Sequence, residues 1–135
     1  MRIIFKLIND QVFKLITIED IDKFIEEHYD TLIYLNCSNC NLTSIKVFPP
    51  NLRGFDCSRN KIVYMPDLHI TLTVLNCSYN KIEDLPDLPK LIIYFKCSFN
   101  NIINIDKYDL SFIQEYHISN QIPKSRIQYL PSVIV

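Results

Sequence analysis

The chain has 135 residues, 48% of them hydrophobic, and 14 basic side chains against 15 acidic ones. That length fits one domain, and that apolar share is enough for a core. The balanced charge, with no basic run, argues against a nucleic-acid binder, which carries a basic stripe.

The N-terminal stretch Met1–Ile8 is basic and apolar, broken by Lys6 and then by Asn9–Gln11. It is too short for a signal peptide or a membrane span, so the expectation is a cytoplasmic, intracellular protein with no membrane partner. Arg2–Ile8 and Val12–Ile18 alternate in polarity, and Asn9-Asp10-Gln11 between them reads as a hairpin turn. Ile18, Ile21, Phe24, Ile25 and Tyr29 then recur at helical spacing, with Thr17 as the expected N-cap. Residues 1–31 thus read as a cap made of a hairpin and a helix.

From Leu32 the chain keeps a ruler. Cys37, Cys57, Cys77 and Cys97 are each 20 residues apart. Leu32, Leu52, Leu72 and Ile92 hold the same step, as do Leu35, Phe55, Leu75 and Phe95. Cys40, Asn60, Asn80 and Asn100 follow, then Leu42, Ile62, Ile82 and Ile102, then Ile45, Met65, Leu85 and Ile105. A fixed period of this size marks a solenoid, whose units bury their apolar faces only by stacking on one another. In the strand part Leu, Phe and Cys point inward and the residues between them outward. The asparagine amide donates to one neighbour and accepts from another, so a ladder of them satisfies buried backbone. The rest of each repeat carries Pro49, Pro50, Pro66, Pro86 and Pro89, which favours an extended, polyproline-like return path over a helix.

Leu72–Ile82 reads LTVLNCSYNKI, and this resembles the leucine-rich-repeat pattern L-x-x-L-x-L-x-x-N/C-x-L. The resemblance covers Leu32 to about Ser111. Leu85–Pro89 (LPDLP) is similar to the short leucine-rich repeats of bacterial effectors. The fold class expected is therefore an α/β repeat: a leucine-rich-repeat solenoid with a parallel β-sheet on one side and extended segments on the other. Four repeats fill 32–111. A degenerate fifth repeat and C-terminal cap fill 112–135, with Phe112, Asn120 and Ile122 keeping phase, Phe112 in the first column, His117 falling on the cysteine column and Glu115 where a core leucine belongs. Five strands would make a sheet about 20–25 Å wide.

Chemistry is sparse. Cys37-Ser38-Asn39-Cys40 is a C-x-x-C, but no second pair follows it, so a metal site is not expected and no cofactor is implied. All five cysteines read as reduced, buried, small apolar residues in a reducing compartment. Cys97 and His117 would be column neighbours, yet that column faces the core and no third catalytic group accompanies them. His28, His69 and His117 do not converge. The scarcity of Gly and Ala beside many Ile, Asn, Lys and Tyr suits an AT-rich genome, such as that of a large DNA virus, a protist or an AT-rich bacterium.

The exposed strand face is richer. Its columns are Tyr34, Gly54, Val74 and Tyr94; Asn36, Asp56, Asn76 and Lys96; and Asn39, Arg59, Tyr79 and Phe99. Aromatic residues and arginine are enriched at binding hot spots. The expected binding residues are Tyr34, Asn36, Asp56, Arg59, Val74, Asn76, Tyr79, Tyr94, Lys96 and Phe99. The resemblance implies a non-enzymatic module that binds a protein or peptide there. The alternative is a structural protein that homodimerises through its C-terminal edge.

Overall fold

The computed structural model describes residues 1–9 and 14–119. They form a β-solenoid of about four turns with parallel strands and little helix. Its strands are β1 (Arg2–Leu7), β2 (Lys14–Thr17), β3 (Leu32–Asn36), β4 (Gly54–Asp56), β5 (Val74–Asn76), β6 (Tyr94–Lys96) and β7 (Glu115–His117). They make one seven-stranded sheet in the order β2-β1-β3-β4-β5-β6-β7. β1 pairs antiparallel with β2 and with β3, and every later pair is parallel. The tip of the expected hairpin turn, from Asp10 onward, lies outside the described residues.

Helix α1 (Ile21–Glu27) follows β2. Its N-cap is Asp20, not Thr17. The Asp20 carboxylate accepts from the backbone N–H of Asp22 at 2.9 Å and of Lys23 at 3.2 Å. Thr17 is held extended opposite Arg2 in β2, and the Ile18 N–H continues that ladder to the Met1 carbonyl at 2.8 Å. The helix cannot start until the ladder ends. Tyr29 lies past the C-cap His28 and is exposed. Ile21, Phe24 and Ile25 are buried and, with Ile3 and Phe5, close the N-terminal end of the core. Phe24 meets Phe5 edge-on at 5.1 Å between ring centres.

The repeat columns become rows of a continuous core. Leu32, Leu52, Leu72 and Ile92 are fully buried, as are Cys37, Cys57, Cys77 and Cys97. Leu75 is 0% exposed in the central turn. Leu75→Ala should lower unfolding free energy by at least about 2 kcal/mol, because the cavity is flanked by two fixed neighbours and cannot collapse. Urea denaturation measures this. A loss below about half of one kcal/mol would contradict the placement of this row in the core.

Between one strand and the next, the return path from 61 to 71 and from 81 to 91 carries no helix, only an isolated parallel bridge from Tyr64 to Asp84. The last turn differs. Tyr94 pairs with Glu115, Phe95 with Tyr116 and Lys96 with His117, a step of 21 residues where earlier strands step by 20. A short 3-10 turn (Ile105–Lys107) lies in this longer return. The Tyr108 hydroxyl hydrogen-bonds Asp84 and accepts from the Leu85 N–H at 2.8 Å, while Lys107 Nζ lies 2.6 Å from Asp84 Oδ1. These contacts tie the longer return to the turn beneath it.

The added residue corrects the sequence-based register. Ile113, not Phe112, is buried in the first column, and Ile118, not His117, is buried after the core position of Tyr116. His117 sits beside Lys96 with its Nε2 3.1 Å from Glu115 Oε1. Cys97 and His117 are therefore not column neighbours. Asn120 onward lies outside the described residues.

Candidate functional site

Three outward columns run across the parallel strands. The first holds Tyr34, Gly54, Val74, Tyr94 and then Glu115. Gly54 is buried here, because the Tyr34 ring lies across it. A Cβ on residue 54 would come 2.8 Å from Tyr34 Cδ2. The only glycine in the chain thus marks a close approach of ring to backbone.

The second column holds Asn36, Asp56, Asn76, Lys96 and His117. Its first three members turn back on their own chain. Asn36 Oδ1 accepts from the Ser38 N–H at 2.9 Å, Asp56 Oδ1 from the Ser58 N–H at 2.9 Å, and Asn76 Oδ1 from the Ser78 N–H at 3.2 Å. Asp56 Oδ1 also accepts from Ser58 Oγ at 2.6 Å, and its Oδ2 from Asn76 Nδ2 at 3.2 Å. These side chains end the strands, so much of their hydrogen-bonding capacity is used within the fold. Lys96 departs from the pattern: its Nζ lies 5.2 Å from the centre of the Tyr94 ring. The neighbouring Tyr94 raises its pKa above the ordinary lysine value.

The third column follows the strands, in the turn that leads to the asparagine ladder. Asn39, Arg59, Tyr79 and Phe99 all have left-handed backbone, with φ of 54°, 56°, 57° and 58°. Asparagine tolerates this conformation, but large side chains rarely adopt it and lose about 1–2 kcal/mol there. The three large ones stack. Tyr79 and Phe99 are 4.4 Å apart between ring centres and 9° from parallel, and Arg59 Cζ lies 4.5 Å from the Tyr79 ring centre. The ring spacing is close to the spacing of strands. An aromatic pair and a cation on a ring contribute about 1 kcal/mol each, which offsets part of the strain. Even stacked, Tyr79 is 42% and Phe99 43% exposed.

The expected binding residues therefore divide. Arg59, Tyr79 and Phe99 come together as one exposed stack. Tyr34 covers Gly54 in the first column, Tyr94 supports Lys96, and Val74 lies between the two tyrosines. Asn36, Asp56 and Asn76 belong to the strand-ending turns. The residue pattern alone did not reveal the left-handed turn, although Asn39 at the head of that column was its one visible sign.

Elsewhere, four cysteines are buried and Cys40 is only half-buried, a correction to the expectation that all five are buried. The Cys40 Sγ lies 3.3 Å from the Arg2 carbonyl at the open start of the ladder. All five are free thiols. Among the described residues no group of His, Cys, Asp and Glu is placed to hold a metal ion, and no helix is long and apolar enough to cross a membrane. A second apolar surface lies on the return side. It is a groove of about 440 Å³ with Ile70 and Leu91 exposed beside Leu68 and Leu88. No protein-family model, curated protein or solved structure matches this chain.

Proposed function

We propose that this protein is a non-enzymatic interaction module of the leucine-rich-repeat class, binding a protein or peptide through its exposed strand face. The observation that carries the reading is the Arg59–Tyr79–Phe99 stack. Three large side chains occupy backbone that favours asparagine or glycine, and two of their rings stay over 40% exposed. A fold selected for stability alone gains little from them, whereas a recognition surface gains rigid, partly desolvated anchors. The consensus columns and the asparagine ladder support the repeat class. Four buried free thiols suit a reducing, intracellular setting.

The test is a pair of measurements on wild type and on the double variant Tyr79→Asn/Phe99→Asn. The variant should stay within about 1 kcal/mol of wild-type stability, because relief of the left-handed strain offsets the lost stacking. It should lose binding to peptides selected on wild type from a displayed library of random linear sequences. Light scattering on both proteins in reducing buffer should give monomers. A dimer of unchanged mass in the variant, with no selectable peptide, would favour self-assembly through the C-terminal edge instead.

A further inference from the structure

Arg59 is held in place but has no anion. Among the described residues its side chain forms no ion pair or hydrogen bond; its one contact of this kind is the Tyr79 ring. Asp56, three residues before it, directs Oδ1 to Ser58 and Oδ2 to Asn76. The guanidinium carbon sits over the Tyr79 ring, and its N–H groups, with no hydrogen-bond or ion-pair partner among the described residues, form a planar fork matched to a carboxylate. Lys61 and Lys81 stand two residues after Arg59 and Tyr79, are exposed, and likewise have no ion pair among the described residues. Two further cations thus follow the stack within two residues along the chain, in a protein whose net charge is only −1.

We propose that this edge recognises an acidic peptide. A carboxylate of the partner takes the free edge of Arg59, and an apolar or aromatic side chain two residues away packs on Tyr79 and Phe99. The spacing follows from geometry. Alternate side chains of an extended peptide are about 7 Å apart, close to the distance from Arg59 to the middle of the ring pair at about 4.8 Å per strand. Lys61 and Lys81 add longer-range attraction that salt weakens. This inference rests on the strand-face reading above and goes beyond it by naming the partner's chemistry.

The probe is the same library of random linear peptides, selected in parallel on wild type, on Arg59→Gln and on Arg59→Lys. Wild type should enrich Asp or Glu two residues from an aromatic or large aliphatic residue. Arg59→Gln should keep the apolar preference and lose the acidic one. Arg59→Lys should fall between them, since it keeps the charge but not the fork. A synthetic wild-type-selected peptide should bind about tenfold more weakly when its acid is changed to the amide, and that change should have no effect on Arg59→Gln. Enrichment with no acidic preference, or an acidic preference that survives Arg59→Gln, overturns this inference and leaves the strand-face reading intact. Peptides that bind Tyr79→Asn/Phe99→Asn undiminished, or no enrichment on wild type, overturn the strand-face reading itself.

Discussion

Raising the pH from 8 to 10 in reducing buffer should remove about 5 kcal/mol of folding stability. Cys37, Cys57, Cys77 and Cys97 form a buried row. Burial pushes each thiol above its ordinary value of 9.0, with Cys77 reaching about 12, and neighbouring cysteines add to the effect at Cys37, Cys57 and Cys97. Each folded value lies above the unfolded one. Well below pH 9 both states keep the proton and pH has no effect through these groups. Above it the unfolded chain releases protons that the folded chain retains, so stability falls until the folded thiols themselves titrate. At pH 10 each thiol contributes a loss of about 1 kcal/mol or slightly more. A domain of this size has about 5–15 kcal/mol in total, so the alkaline limb should be steep. Urea unfolding at several pH values measures it. Cys77→Ala should flatten the limb by about a quarter, while lowering stability at pH 7. A profile flat to pH 10 in wild type would mean the thiols are not buried as a row.

Asn80→Ala should cost about 4 kcal/mol, more than its small side chain suggests. Asn80 Nδ2 donates to the carbonyls of Cys57 at 3.0 Å and Cys77 at 3.1 Å, and its Oδ1 accepts from the buried Ile62 N–H at 3.0 Å. Cys57 O keeps a bond from Asn60 and Cys77 O one from Asn100, but the Ile62 N–H is left without a partner. Asn80→Asp should not rescue the loss, since it replaces the donor with an oxygen facing carbonyls. The first turn shows what the ladder tolerates. Cys40 replaces asparagine there, yet Cys37 O is served by Asn60 Nδ2 at 3.0 Å, and Asn60 Oδ1 accepts from the N–H groups of Cys40 and Leu42. Chemical denaturation of both variants decides the point; a cost under about 1 kcal/mol would mean that water replaces the amide.

The repeat was legible because stacking imposes one environment on each column, so Leu75 and Cys77 announce their burial by recurrence. Features that break the repeat were not. The extra residue in the last turn moved burial from Phe112 to Ile113, and no periodicity argument finds an insertion inside a return path that lacks period. Thr17 and Asp20 are both good caps by type; the choice between them depended on a strand pairing with Arg2, a contact distant in sequence. At the site, the exposed columns were visible as composition, but their roles were set by backbone. Nothing in their type told that the oxygens of Asn36, Asp56 and Asn76 close strand-end turns. Tyr79 and Phe99 look like ordinary strand residues until their left-handed φ is known.

The proposed recognition surface is the strand face and the turn that follows it. Amide hydrogen exchange, with and without the best selected peptide, locates it. Protection confined to 54–59, 74–79 and 94–99 is the predicted result. Protection centred on 66–71 and 86–91, around the apolar groove of Ile70 and Leu91, would contradict it and move the working surface to the opposite side of the solenoid.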